Sequence, residues 1–385
     1  MRVVLQELAA VTAALGVSGA GYYFLCIWAA RRFLAQTADH GATCHTPPVS
    51  ILKSLKGVDP HMYAALHSHC VLDYPEYEVL FGVSDLSDPA VALVREIQQH
   101  YPQVHLRLVH CPLRLGHNGK VSNLAQMLPQ ASHEHVVISD SDILVSPDFL
   151  RRVMRHFGEM KVGMVTTLYR AVHGRGLWSK LEALGISTDF MGGVLAAREL
   201  ERGIRFALGA SIATTKSVLA AMGGLEPLAN YLGDDYELGA RTAAAGYKVE
   251  LADVVVETAL PDYAFSEFWS HQLRWARNIK DRRRLQYFGL AVTFALPWGI
   301  LAVIAVPHAW WTWAALAPAA LARFGAAVVV GHKLLRDPMV LRDLWLVPVR
   351  DCIALVLWLV SFADNTVTWR GARFRVRDGK LTPLP

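Results

Sequence analysis

The sequence predicts an α/β domain built on a mostly parallel sheet, held between apolar membrane segments at its two ends. Three observations carry that expectation. Short apolar runs alternate with helical patterns over residues 49–148, a βαβ succession that implies parallel strands joined by crossovers. Residues 135–148, HVVISDSDILVSPD, open with Val136, Val137 and Ile138, which have the β-branching of a buried strand, and run into Asp140 and Asp142. Finally, 53% of the 385 residues are hydrophobic and only 18% are charged, and the apolar excess sits at the ends of the chain.

Residues 8–30 carry no charge and are long enough to cross a bilayer. Arg31 and Arg32 follow at once, so the positive-inside rule places the next domain in the cytoplasm. A cleaved signal would carry its basic flank on the other side. Residues 40–260 read as one soluble domain. Strands are expected at 49–52, 78–83, 104–109, 136–138, 162–168 and 247–257. Helices are expected from Asp59 and Pro60, over 89–100 with Val91, Val94 and Ile97 on one face, over 116–128 and 177–184, and after Asp234. Residues 203–215 read only as an apolar, Gly-containing stretch.

Residues 261–286 mix Phe265, Phe268, Trp269, Leu273 and Trp275 with Arg and Lys, as interfacial helices do. Two apolar spans, 288–307 and 310–330, read as a hairpin, since the loop 333–342 is basic. The last apolar stretch, 344–362, holds Arg350 and Asp351, which are costly in a bilayer unless paired or facing protein, and a bent or re-entrant path is expected there. The divisions are therefore 1–39 anchor, 40–260 soluble domain, 261–286 interfacial helices, 287–363 membrane region and 364–385 basic tail. The formal charge of +5 is concentrated beside the apolar segments, and no aromatic–basic interleaving suggests a nucleic-acid partner. Cys26, Cys44, Cys70, Cys111 and Cys352 show no paired spacing and read as reduced thiols.

Asp140 and Asp142 stand two apart, so in extended chain they face one way, just beyond a strand's carboxyl end where open sheets bind ligands. Two hard oxygen donors suit Mg²⁺ or Mn²⁺. A lone D-x-D is equally a solvated acidic turn, so the remaining markers matter. Ser84 and Asp85 end the second strand, Asp234 and Asp235 open a helix, and H-Q-L-R-W (271–275) precedes the hairpin. His67 and His69, or His133 and His135, lack further ligands at sensible spacing and read as surface or strand-edge residues. Lys120, at a helix start, reads by itself as a surface lysine.

That order of markers resembles the family 2 inverting glycosyltransferases with a GT-A (Rossmann-like) fold: an early Asp, a D-x-D-type site, an acidic pair and a (Q/R)-x-x-R-W motif. SILKSLKGVDP, LDYPEYEVLFGVSDLSDPA, GKVSNL, ISDSDILVSPDFL and NYLGDDYELG extend the likeness to the ceramide glucosyltransferase branch. HQLRWARN and GIRFALGASIA look most like bacterial hopanoid-associated glycosyltransferases. The resemblance implies a UDP-sugar donor, a membrane-lipid acceptor (hopanoid or ceramide), and a multi-pass inner-membrane enzyme. It assigns Asp235 as general base with Asp234 beside it, Asp140 and Asp142 to the metal, and Asp140 also to the donor. It assigns Asp85, with Ser84, to the uridine, Lys120 to the uridine or diphosphate, and Arg274 and Trp275 to the diphosphate and acceptor. Gly209, Ala210 and Ser211 line the acceptor site by the same likeness. Branch members often carry Gly where this chain has Asp142, and Gln or Arg where it has His271. A processive synthase is disfavoured by the few membrane segments after the domain, and a catalytically idle nucleotide-sugar-binding protein by the retained acids.

Overall fold

A computed structural model describes residues 1–38, 45–59, 61–369 and 371–384. The chain divides into two compact units: Asp39–Val172 with Glu201–Pro261, and Met1–Ala38 with His173–Leu200 and Asp262–Pro385.

The first unit is organised on an eight-stranded sheet in the order β3-β2-β1-β4-β7-β6-β8-β5. Its strands are β1 (Val49–Ser54), β2 (Tyr77–Val83), β3 (His105–His110), β4 (His135–Ser139), β5 (Ile143–Leu144), β6 (Val162–Val172), β7 (Ser211–Thr215) and β8 (Lys248–Ala259). The strands β3, β2, β1 and β4 run parallel, with Ile51 opposite both Val79 and Val137. Ile51, Leu52, Leu80, Phe81, Val136, Val137 and Ile138 are fully buried, as near-continuous apolar runs covered on both faces should be. The amphipathic helix Ala90–His100 buries Val91, Val94 and Ile97, as its spacing requires.

Three details differ from the sequence expectation. The apolar stretch 203–215 supplies β7, which pairs antiparallel with β4 and β6, so the sheet is mixed in its second half. The helix expected from Asp59 starts at Met62, with His61 at its N-cap and the Met62 amide bonded to the Asp59 carbonyl at 3.0 Å; Pro60 lies outside the described residues. His69 is no surface residue but is fully buried.

Among the described residues, the second unit contains three helices long and apolar enough to cross a membrane: Arg2–Thr37, Trp310–Leu334 and Met339–Ser361. The sharp break falls in the first C-terminal apolar stretch, not in the last. Arg284–Thr293 and Ala295–Ala305 meet at 53°, where Pro297 removes an amide and crowds the carbonyl four residues back. Asp351, in the last stretch, is buried and clamped by the fully buried Arg323, with Nε–Oδ2 at 2.8 Å and Nη2–Oδ1 at 2.9 Å. Thr188 supplies two more acceptors to that guanidinium, and Tyr23 lies under it at 5.1 Å.

The basic tail is folded. Strands β9 (Thr366–Trp369), β10 (Ala372–Arg377) and β11 (Lys380–Pro383) form an antiparallel sheet that buries Val367, Phe374, Val376 and Leu381. Arg370, of the tail motif TVTWRG, lies outside the described residues. The helix Phe265–Arg282 holds this sheet: Arg277 donates to the Thr366 carbonyl, and Asp281 Oδ2 accepts from the Gly379 amide at 2.5 Å. Cys26, Cys70 and Cys111 are buried free thiols and Cys352 is an exposed one, while Cys44 lies outside the described residues.

Candidate active site

The acidic motif is a turn, not an extended segment. Strand β4 ends at Ser139, and the Ile143 amide closes back on the Asp140 carbonyl at 3.3 Å. The two carboxylates therefore find different partners. Asp140 Oδ1 pairs with Lys120 Nζ at 2.5 Å, and Asp142 Oδ2 accepts from Thr258 Oγ1 at 2.5 Å.

Beneath the turn lies a lysine that the motif analysis missed. Lys53, on β1, is fully buried and donates to the Asp140 carbonyl at 2.7 Å and to Ser139 Oγ at 3.1 Å. Its third side faces His69 Nε2 at 3.5 Å, and His69 Nδ1 donates to the Ala65 carbonyl at 2.9 Å, so the imidazole is the neutral Nδ1–H tautomer. Burial pushes the Lys53 ammonium down to about 7, against the pull of Asp142 and Asp140. Burial, followed by the Lys53 charge, holds His69 well below its usual range. A charged residue inside an apolar strand pattern was the available signal.

The helix Gly119–Met127 carries Lys120 into the same place. Its N-cap, Asn118, is fully buried; Oδ1 accepts from the Val121 amide, and Nδ2 donates to Asp234 Oδ1 at 3.1 Å. Asn118 thus ties the starts of two helices together, a role visible in sequence only as an N-cap preference. Lys120 is not a surface lysine: it also faces Asp234 Oδ2 at 3.5 Å. Although burial opposes its charge, Asp140 and Asp234 hold its ammonium above the ordinary range.

Gly233 caps the helix Asp234–Ala244, and both acids lie in its first turn, where the positive dipole end favours them. Asp235 Oδ1 accepts from the Tyr236 amide at 2.8 Å. Its Oδ2 looks across Gly209. A β-carbon there would stand 3.0 Å from Asp235 Oδ2 and 3.7 Å from Asp140 Oδ2, so the missing side chain leaves the gap between the two carboxylates. Burial, then the Asp234 charge, pushes Asp235 up to about 6. Asp140 is raised by burial, with Lys120 pulling the other way.

Asp85 and Ser84 are not in contact with this cluster. Both are exposed after β2, and Asp85 Oδ1 accepts from the Ser87 amide at 2.8 Å. In the sheet, β1 separates β2 from β4, so the two strand ends stand roughly 10 Å apart on one edge.

The Asp140–Asp142 pair offers oxygen donors only. Among the described residues no third Asp, Glu, His or Cys joins them as a closed cage. That donor set fits a hard cation that keeps water and takes substrate phosphate oxygens.

The remaining motif lies in the second unit, on Phe265–Arg282. His271 Nδ1 stands 2.9 Å from Glu182 Oε1, and Trp275 packs on His271 at 5.2 Å and on Phe190 at 5.9 Å. Arg274 lines a cavity of about 210 Å³ with Arg277, Asp364, Thr366 and Arg373.

The model of glycosyl transferase family 21 matches residues 11–382. The chain belongs to that family. The family shown is thus 21, whereas the order of the motifs resembles family 2. Ceramide glucosyltransferase 1 of Caenorhabditis elegans is 28% identical over 237 residues, covering 61% of this chain and 50% of that protein. Beta-monoglucosyldiacylglycerol synthase of Synechocystis sp. is 24% identical over 265 residues, covering 67% of this chain and 53% of that protein. The chain spans about half the length of these relatives. The structure of a mannosyltransferase from Pyrobaculum calidifontis, in complex with GDP-Man and Mn²⁺, aligns with a TM-score of 0.55 and 22% identity, covering 92% of this chain and 97% of that one. The family 21 chain therefore has the GT-A type of fold, a mostly parallel sheet domain accompanied by apolar helices.

Proposed function

We propose that this family 21 chain transfers a single sugar from a UDP-sugar, with inversion, to a hydroxyl of a membrane lipid at the cytoplasmic face of the inner membrane. The observation that carries the reading is the Asp235 carboxylate facing Asp140 across Gly209, beside Lys120 and Asp234. Inversion in one displacement needs a base for the acceptor hydroxyl, and a carboxyl pushed up to about 6 suits that work near neutral pH. Asp235 takes the acceptor proton as the acceptor oxygen forms its bond to the sugar's anomeric carbon. The bond from that carbon to the phosphate oxygen breaks, and the electron pair leaves with UDP.

Asp140 and Asp142 would hold Mg²⁺ or Mn²⁺, which when bound neutralises charge on the departing diphosphate. Lys120 gives up part of its bond to Asp140 and turns its charge to the same diphosphate. Asp85 and Ser84, at the end of β2, one strand beyond β1, would take the nucleoside. The roles of Arg274 and Trp275 for the leaving group and acceptor, and of His271, rest on the motif they form.

For the substrates, HQLRWARN and GIRFALGASIA support UDP-N-acetylglucosamine and a hopanoid. The names of the glucosyltransferase relatives support a second reading, UDP-glucose with ceramide. The test is purified protein in detergent with Mg²⁺ or Mn²⁺, given each donor against a hopanoid polyol and ceramide. Acceptor-dependent UDP release with the matching glycolipid mass supports the pair that gives it. UDP binding without transfer to any lipid in a wide screen would overturn the reading in favour of an idle binding protein.

A further inference from the structure

Three helices of the second unit, Leu177–Gly185, Phe265–Arg282 and Val347–Ser361, enclose opposite charges that do not satisfy each other. Glu182 is 1% exposed, and neither of its carboxylate oxygens has a hydrogen-bond partner among the described residues. The 2.9 Å approach of His271 Nδ1 to Oε1 lacks the alignment of a hydrogen bond. Arg350 is 9% exposed; Nη2 donates to Gln272 Oε1 at 3.3 Å, whereas Nε and Nη1 are buried without partners. Its neighbour Asp351 cannot neutralise it closely, because both of those carboxylate oxygens are taken by Arg323.

The two orphaned groups sit along one helix face. A β-carbon on Gly185 would collide with Arg350 Nε, so that guanidinium lies against the helix one turn beyond Glu182. His271 and Gln272 are consecutive and touch one charge each. Among the described residues no ion pair joins Arg350 to Glu182. Buried charges left in this condition are expensive, and in native proteins they meet a bound group or water. The group that fits must donate to a carboxylate and accept from a guanidinium while carrying no charge. A hydroxyl does both; a phosphate would be repelled by Glu182, and a hydrocarbon would satisfy neither.

We propose that Glu182, Arg350, Gln272 and His271 form a buried slot that binds a hydroxyl of the neutral lipid acceptor. The inference rests on the lipid-acceptor reading above. These side chains act in binding: Glu182 accepts the hydroxyl hydrogen, and Arg350 donates to its oxygen.

The test uses the full chain in detergent and needs no turnover. Tritiated hopanoid polyol and tritiated ceramide are each compared with their O-methylated forms for equilibrium binding. The wild type should hold a free-hydroxyl probe at least about tenfold tighter than its methylated form, the difference of one charge-assisted hydrogen bond. In Glu182→Met and Arg350→Met that ratio should fall to within about twofold, with UDP affinity unchanged as the control for folding. Equal binding of free and methylated probes by the wild type overturns the slot and leaves water as its occupant, whatever the variants do. Discrimination without transfer to any lipid keeps the slot and removes the transferase reading. Transfer without discrimination does the reverse.

Discussion

Lys53, buried on the first strand, reaches under the acidic turn and donates to the Asp140 carbonyl oxygen at 2.7 Å. The residue that shapes the acidic turn is therefore almost 90 residues away from it in sequence. Replacing it by Met keeps the volume and removes the donors, leaving the Asp140 carbonyl with the Ile143 amide at 3.3 Å and Ser139 Oγ with His69 Nε2 at 3.3 Å. Lys53→Met should lose about 1–3 kcal/mol of stability and weaken Mn²⁺ binding at least about tenfold. Thermal unfolding and an Mn²⁺ titration check the two effects; unchanged Mn²⁺ affinity would show that the turn holds its shape alone.

If Asp235 is the general base proposed above, it sets the acid limb of activity. Its carboxyl is raised from 3.8 to about 6 by burial and by Asp234, so the folded chain holds that proton more tightly than the unfolded chain. Two opposite trends follow. Activity rises as pH climbs through about 6 and the base ionises, while this group's contribution to stability is lost over the same window. A bound divalent cation should move the limb to lower pH. A kcat/KM profile against pH, with and without excess metal, is the measurement; a flat profile between pH 5 and 7 would separate Asp235 from proton transfer.

Gly209 leaves the gap between Asp235 and Asp140. In Gly209→Ala the new methyl would sit 3.0 Å from Asp235 Oδ2 and displace it. A carboxylate moved by a few tenths of an ångström should lower kcat by about tenfold or more while the protein stays folded. Single-turnover transfer beside circular dichroism separates the two.

Arg323 and Asp351 form a buried pair whose members depend on each other. Removing one partner alone, in Arg323→Met or Asp351→Leu, should destabilise by about 3–5 kcal/mol, because an uncompensated charge remains. The double replacement should recover most of that loss. Unfolding in detergent, followed through the three variants, gives the coupling; additive losses would mean that Thr188 and Tyr23, not Asp351, satisfy the arginine.

The parallel half of the sheet was legible because β1, β2 and β4 carry the apolar runs 51–52, 79–81 and 136–138, and burial on both faces demands that pattern. Strand β7 was not, since the five residues of Ser211–Thr215 carry three hydroxyls and follow a glycine. The acids Asp140, Asp142, Asp234 and Asp235 were legible as a motif, but their geometry was not: periodicity assumes extended chain past Ser139, where the backbone turns. Asn118, Lys53 and His69 act through contacts across the sheet and between helix starts, which no local spacing encodes. The pairing of Asp351 was anticipated as a need, and only the packing of helices supplies Arg323 as the answer. The tail read as basic because β10 alternates exposed arginines with the buried Phe374 and Val376.

The most direct test of the account compares Asp235→Asn with the wild type in full-length, detergent-solubilised protein. UDP affinity and glycolipid formation are measured on the same preparations, with Mn²⁺ and the best donor–lipid pair. The account predicts UDP affinity within about twofold of wild type and transfer reduced at least about a hundredfold, the loss of a general base. Transfer at the wild-type rate in Asp235→Asn would contradict it.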